Sequence, residues 1–239
     1  MLDIAQADIE AFHRDGAVLL KGVLEPQWLE LLATGLEEAN NRPNGKSSGI
    51  GDPLRIDQFP ADHVPALRRL IDEAPLAEIV GRVLNGAVRF YMDQMFYKPA
   101  GAIAPTPWHQ DTCYYNVAGN DLVRAWVSPD PVPRDISMEV VRGSHRWNVT
   151  YHTWVGRDPA DAPEEAALAE ERFARGEPII GVEAHEDWSY AMAFRDPDLP
   201  PAPDIEAHRD SFEILGWDYE PGDVLLLSLI HISEPTRLD

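Results

Sequence analysis

The 239-residue chain is short of cysteine, of positive charge and of long apolar runs. Its single cysteine, Cys113, excludes an internal disulfide framework and fits a reducing compartment, so a cytoplasmic location is expected. Lys and Arg number 20 against 41 Asp and Glu, for a formal net charge of -21. Such a surface repels phosphate backbones, so no nucleic-acid partner is expected. No apolar stretch approaches the roughly 20 residues of a membrane helix, so no membrane partner is expected either. Met1-Leu2-Asp3-Ile4 lacks the basic start and apolar core of a secretory signal. There is no internal repeat and no low-complexity tract. What remains is an ordinary globular composition, 44% hydrophobic and 26% charged, at a length that suits one domain.

Hydrophobic periodicity orders the chain as helices first and strands after. Ala5 to Arg14 reads as a helix with Ile9 and Phe12 on one face. Asp15-Gly16 is a turn, and Ala17 to Leu20 a buried strand. Pro26 opens a second helix, where a missing N–H does no harm. Asn40 to Gly51 reads as a loop. Val64 to Glu73 and Pro75 to Leu84 read as helices. Ala87 to Lys98, Trp108 to Tyr115, Leu122 to Val127, Ser137 to Val141, Ser211 to Leu215 and Asp223 to Leu227 read as strands. Residues 147–210 look like a loop-rich insertion with a helix over Ala162 to Gly176. The fold class expected is α+β with a mainly β core, in the manner of a double-sheet jelly roll.

The chemistry points to Trp108-His109-Gln110-Asp111. Residues two apart on an extended strand face the same side, so His109 and Asp111 offer a nitrogen and an oxygen to one metal. A third, distant His would complete the 2-His-1-carboxylate triad that holds non-haem Fe(II). His145 fits a turn residue better than a ligand. His152, His185 and His208 lack spaced partners and read as solvent-facing. Tyr114 and Tyr115 should face opposite ways, as should Phe96 and Tyr97, with core packing the default for both pairs. Cys113 would share the face of Asp111 and read as a small buried side chain. Lys98 reads as an edge lysine, and Arg124 as a weak candidate for substrate contact.

Several features occur together: a strand ending Lys98-Pro99, Trp108-His109-Gln110-Asp111, Trp126, Val141-Arg142-Gly143-Ser144-His145, and Pro221-Gly222-Asp223-Val224-Leu225-Leu226. With the opening helix, Asp-Gly turn, strand and helix, they resemble the phytanoyl-CoA dioxygenase-like family of Fe(II)/2-oxoglutarate oxygenases. The resemblance implies a double-stranded β-helix of cupin type, with the N-terminal helices packed outside. It implies Fe(II) and 2-oxoglutarate as cofactors, O₂ and a small organic molecule as reaction partners, and succinate and CO₂ as by-products. His109 and Asp111 match the family's first two iron ligands. Gln94, Gln110 and Trp126 match positions at the 2-oxoglutarate pocket.

The family's distal His and its carboxylate-binding Arg are not matched. His231 falls about two positions before the expected ligand, Ser233 takes roughly that slot, and Arg237 follows too soon. Leu227 to Asp239 resembles a translated sequencing-library adapter. The expected organisation is therefore a single domain over 1–226 and a non-native tail over 227–239. Metal affinity should be weak and activity reduced in this form. An alternative keeps His231 as third ligand after a shift of two, which preserves strand face. Two other functional classes stay open: a jelly-roll or cupin-like metal-binding protein without oxygenase activity, and a β-sandwich that binds sugars or small molecules, in which His109 and Asp111 only form hydrogen bonds.

Overall fold

The structure is a computed structural model that describes residues 4–42, 47–48, 55–97, 108–115, 117, 119–151, 199–200 and 202–234. Helix α1 (Gln6–Asp15) ends at Gly16, whose φ of 84° lets the chain turn sharply into β1 (Ala17–Leu20). Helix α2 (Pro26–Asn41) begins with its proline in the first turn, as expected. It extends into the stretch read as a loop, which also contains the short strand β2 (Ser47–Ser48). Strand β3 (Arg55–Gln58) was not foreseen, because Arg-Ile-Asp-Gln carries little apolar signal. Helices α3 (Pro65–Glu73) and α4 (Leu76–Val83) follow as read, with Pro75 capping α4 from outside.

The remaining strands are β4 (Gln94–Tyr97), β5 (His109–Gln110), β6 (Val123–Trp126), β7 (Glu139–Val141), β8 (Ile214–Leu215), β9 (Val224–Ser228) and β10 (Ile232–Glu234). Five of them, β4 to β8, are shorter than their sequence suggested. Residues 87–93 are irregular, and β8 is preceded by a 3₁₀ turn over Arg209–Ser211. The chain leaves β5 at Asp111 for a 3₁₀ turn over Asp111–Tyr114. The expected strand through Tyr115 is therefore corrected: Thr112 N–H donates to the Leu229 carbonyl at 2.9 Å, a contact that holds the turn instead.

Among the described residues all strand pairings are antiparallel. The sheets run β1-β9-β6, β5-β10-β7-β8 and β2-β3-β4. Alternation along β9 explains how they stack. Val224 and Leu226 pack with Phe12, Ile79 and Val83 of the helices. Leu225 and Leu227 pack with Val140 of the second sheet and with Met138 just before it. The central strand is thus buried on both faces, which is why it reads as an unbroken apolar run. On β4 the same period sends Met95 toward α2 and α3, and Gln94 and Phe96 to the other side. On β10 it puts Ile232 in an outer cluster with Trp108, Val141 and Tyr151, and Ser233 on the inner face.

Family-like motifs act as braces. Asp223 accepts from Gly22 N–H, Glu220 N–H and Lys21 Nζ at 2.8, 2.9 and 2.8 Å, tying the entry of β9 to the turn after β1. Ser144 Oγ accepts from Ile232 N–H at 2.8 Å. Gly143, at φ 73°, donates its N–H to the Asp15 carbonyl at 2.8 Å. Residues 227–234, read from the sequence as a non-native tail, complete β9 and place β10 between β5 and β7. Lys98, His152, His185, Arg237 and the helix expected over Ala162 to Gly176 lie outside the described residues, as do the side chains of Cys113 and Tyr114. Among the described residues no helix is long and apolar enough to cross a membrane.

Candidate metal and co-substrate site

His109 and Asp111 meet on the inner side of the second sheet, His109 Nε2 lying 3.5 Å from Asp111 Oδ1. Both are buried. The strand carries His109 and the 3₁₀ turn swings Asp111 back beside it, so the pair forms although the strand does not continue. Asp111 Oδ2 faces Arg124 Nη1 of β6 at 3.2 Å. Burial alone would raise the Asp111 carboxyl, but the Arg124 guanidinium and then His109 outweigh it and hold it below the usual carboxylate range.

Arg124 carries the network onward. Its Nη2 donates to Gln94 Oε1 at 3.0 Å and to the Tyr115 hydroxyl, which itself donates to Gln94 Oε1 at 2.8 Å. Burial pushes the Tyr115 phenol up to about 12, so it stays protonated. The guanidinium lies 5.9 Å from the ring centroids of both Phe96 and Tyr115. Trp126 packs against Phe96 at 5.1 Å between ring centroids, making an aromatic wall beside the polar groups. Tyr91, exposed, stands edge-on to Tyr115 at 6.0 Å.

Gln94 and Trp126 therefore lie in the same cluster as His109 and Asp111, but Gln110 does not. As its neighbours' opposite in the strand period, Gln110 is turned to the outer face. Its amide donates to the carbonyls of Val149 and Ile230 and accepts from Tyr151 N–H, each at 3.0 Å. The amide expected at the co-substrate pocket is hydrogen-bonded here to backbone on the outer face, behind the site. Arg124 and Tyr115 are instead the residues that bond into the cluster around Asp111 and Gln94. Sequence reading undervalued Arg124 because a charged residue in a short strand carries no motif. Tyr91 was not singled out at all, and its exposure is visible only in three dimensions.

Among the described residues, none of the other candidate histidines adds a donor. His231 sits in the turn before β10, where Nε2 donates to the Asp15 carbonyl at 2.9 Å. Its ring packs against His145 at 5.8 Å, away from His109. His145 Nε2 faces the His13 carbonyl at 3.2 Å, which fits the turn role expected for it. His208 is exposed, with Nδ1 on the Asp204 carbonyl at 3.0 Å. Ser233 is the residue paired with His109 across β5 and β10, and it is buried. Directly opposed residues point to one face, so Ser233 stands beside His109 where a third donor would be sought. Among the described residues no group of three His, Cys, Asp or Glu is arranged to hold a metal. The donor set thus supplies two of the three protein ligands of a facial triad, and the residue paired opposite His109 is a serine.

The profile of the phytanoyl-CoA dioxygenase (PhyH) family matches residues 12–237, and the chain belongs to that family. Among curated relatives, it is 26% identical over 190 residues to the ectoine dioxygenase of Sphingopyxis alaskensis, covering 70% of this chain and 61% of that protein. It is 24% identical over 159 residues to a probable alpha-ketoglutarate-dependent hypophosphite dioxygenase of Stutzerimonas stutzeri, covering 63% of this chain and 53% of that one. The chain therefore spans little more than half the length of these relatives. Among solved structures, EctD from S. alaskensis with 2-oxoglutarate and 5-hydroxyectoine superposes with a TM-score of 0.66 at 16% identity, over 97% of this chain and 70% of that one. SnoK, a non-heme alpha ketoglutarate dependent carbocyclase of nogalamycin biosynthesis, gives 0.65 at 16% identity, over 97% and 77%. These likenesses establish a shared fold.

Proposed function

We propose that the protein is a non-haem Fe(II)/2-oxoglutarate-dependent dioxygenase acting on a small organic substrate, built as a single jelly-roll domain. The observation that carries this reading is the buried His109 Nε2 and Asp111 Oδ1 pair, 3.5 Å apart, inside a chain of the phytanoyl-CoA dioxygenase family. Iron, when bound with 2-oxoglutarate and O₂, supplies the oxidising chemistry that yields succinate and CO₂. The chain's own contribution is to hold and orient. His109 and Asp111 are the metal's protein donors, and Arg124 keeps Asp111 ionised. Gln94 offers its amide to the co-substrate. Trp126 and Phe96 wall the pocket and keep water from it.

Anaerobic Fe(II) titration, followed by measurement of succinate formed from 2-oxoglutarate with candidate substrates, tests the reading. Succinate production that is lost in His109→Ala supports it; iron binding without any 2-oxoglutarate turnover sinks it. A second reading, a family-fold metal-binding protein without oxygenase activity, is favoured by one observation. Ser233 rather than an imidazole lies opposite His109.

A further inference from the structure

We propose that Arg124 is a positioning residue that couples the carboxylate of Asp111 to the amide of Gln94, so that metal and 2-oxoglutarate bind as one unit. The inference rests on the proposed function and goes beyond it. Its basis is the reach of a single guanidinium: Nη1 lies 3.2 Å from Asp111 Oδ2, and Nη2 donates to Gln94 Oε1 at 3.0 Å and to the Tyr115 hydroxyl.

Each contact has a directional consequence. Arginine only donates and stays charged, so it cannot exchange roles with its partners. By holding Oδ2 of Asp111 it leaves Oδ1 turned toward His109 Nε2, which makes the carboxylate a one-oxygen ligand on the side of the imidazole. Because Arg124 and Tyr115 both donate to Gln94, the amide oxygen must face them. The NH₂ end of Gln94 is thereby turned away from the guanidinium, as a donor suited to a carboxylate or keto oxygen. The rings of Phe96 and Tyr115, both 5.9 Å from the guanidinium carbon, restrict its movement. With its side chain only 19% exposed, the fork works where solvent screens little. A shift at Asp111 is thus transmitted to Gln94 through one rigid group.

The test measures metal and co-substrate separately, with no turnover. Co(II) binding is read from its visible absorption, and 2-oxoglutarate binding to the Co(II)-loaded protein by calorimetry. Arg124→Met is expected to weaken both by about tenfold or more, the usual scale for a residue that orients a ligand. Arg124→Lys keeps charge but not the fork; it should restore Co(II) affinity to within about threefold and leave 2-oxoglutarate weak. Gln94→Ala should weaken 2-oxoglutarate alone. The double variant should lose no more 2-oxoglutarate affinity than Arg124→Met, because the two residues act as one path.

The inference is overturned if Arg124→Met lowers the thermal midpoint yet leaves both affinities within about twofold, or if its effect simply adds to that of Gln94→Ala. Should the unaltered chain bind Co(II) too weakly to measure, the series is run on Ser233→His. If neither background takes the metal, the proposed function fails and this inference with it. Indifference to Arg124→Met in a metal-binding background overturns this inference alone.

Discussion

Two corners of this molecule use the same kinds of residue for different ends. At one, Asp15 is buried beside Arg14, Arg142, His145 and His231. At the other, Asp111 is buried beside Arg124 and His109. In the first corner the bonds close on the scaffold. Arg14 and Arg142 saturate the carboxylate at 2.6 to 2.8 Å, while its backbone carbonyl accepts from His231 Nε2 and Gly143 N–H. In the second, the carboxylate reaches one cation at 3.2 Å and one imidazole at 3.5 Å. A carboxylate filled by arginines holds the chain together. One with a looser oxygen beside an imidazole is suited to a cation. The identity of the side chains does not distinguish these roles; the completeness of their bonding does.

The sharpest way to break the comparison is to strike the scaffold corner alone. At Gly16 a Cβ would lie 2.3 Å from His145 Nδ1 and 2.6 Å from His231 Cδ2, on a backbone at φ 84°. Gly16→Ala is therefore expected to cost about 3 kcal/mol in denaturant unfolding, from left-handed strain plus overpacking. Metal affinity of the folded protein should remain unchanged. His109→Ala should do the reverse. Co(II) binding is expected to fall about 100-fold, equivalent to about 2.7 kcal/mol, with the unfolding midpoint nearly constant. If His109→Ala instead unfolds the protein and spares the metal, the two corners have been assigned the wrong way round.

Smaller changes sharpen the contrast. Ser233→His adds an imidazole opposite His109 and should tighten Co(II) binding about tenfold or more by titration. A gain confined to His231 variants would refute the assignment of position 233.

Near neutral pH the pH dependence is the smallest of these effects. Burial, then the neighbouring His145, depress His231 from 6.5 to about 3. Between those values the unfolded chain takes a proton that the folded chain refuses. Stability is therefore greatest above 6.5 and falls as pH drops toward 3, by at most about 1.4 kcal/mol per unit. Asp15, also held low against burial by Arg14 and Arg142, adds loss in the same direction below the ordinary carboxylate value. Unfolding free energies measured across this window should lose part of their slope in His231→Phe, and an unaltered slope would remove His231 from the account.

Much of this was legible along the chain because it depends on local pattern. The helices α1 to α4 followed from apolar patterning, with prolines at or beside the first turns of α2 and α4 as further signals. The strands β1, β6 and β9 followed from apolar runs, and the two donors at 109 and 111 from their spacing. Strand β3 was not legible, since Arg-Ile-Asp-Gln is held by its pairing with β4 rather than by its own preference. Nor was the break after Gln110, where a contact with Leu229, more than a hundred residues away, outweighs the strand preference of Thr112 to Tyr115.

The sequence by itself determined the inventory: helices before strands, a buried central strand, and a histidine and an aspartate close enough to share a cation. Tertiary structure alone decided which groups join them. Arg124, Gln94 and Tyr115 converge because β4 and β6 bring their inner faces together, while strand period turns Gln110 outward. Only pairing between β5 and β10 set Ser233, rather than His231, opposite His109. Short-range pattern encodes which face a side chain takes, whereas its neighbour across the fold is fixed by register, and register is a property of two strands at once.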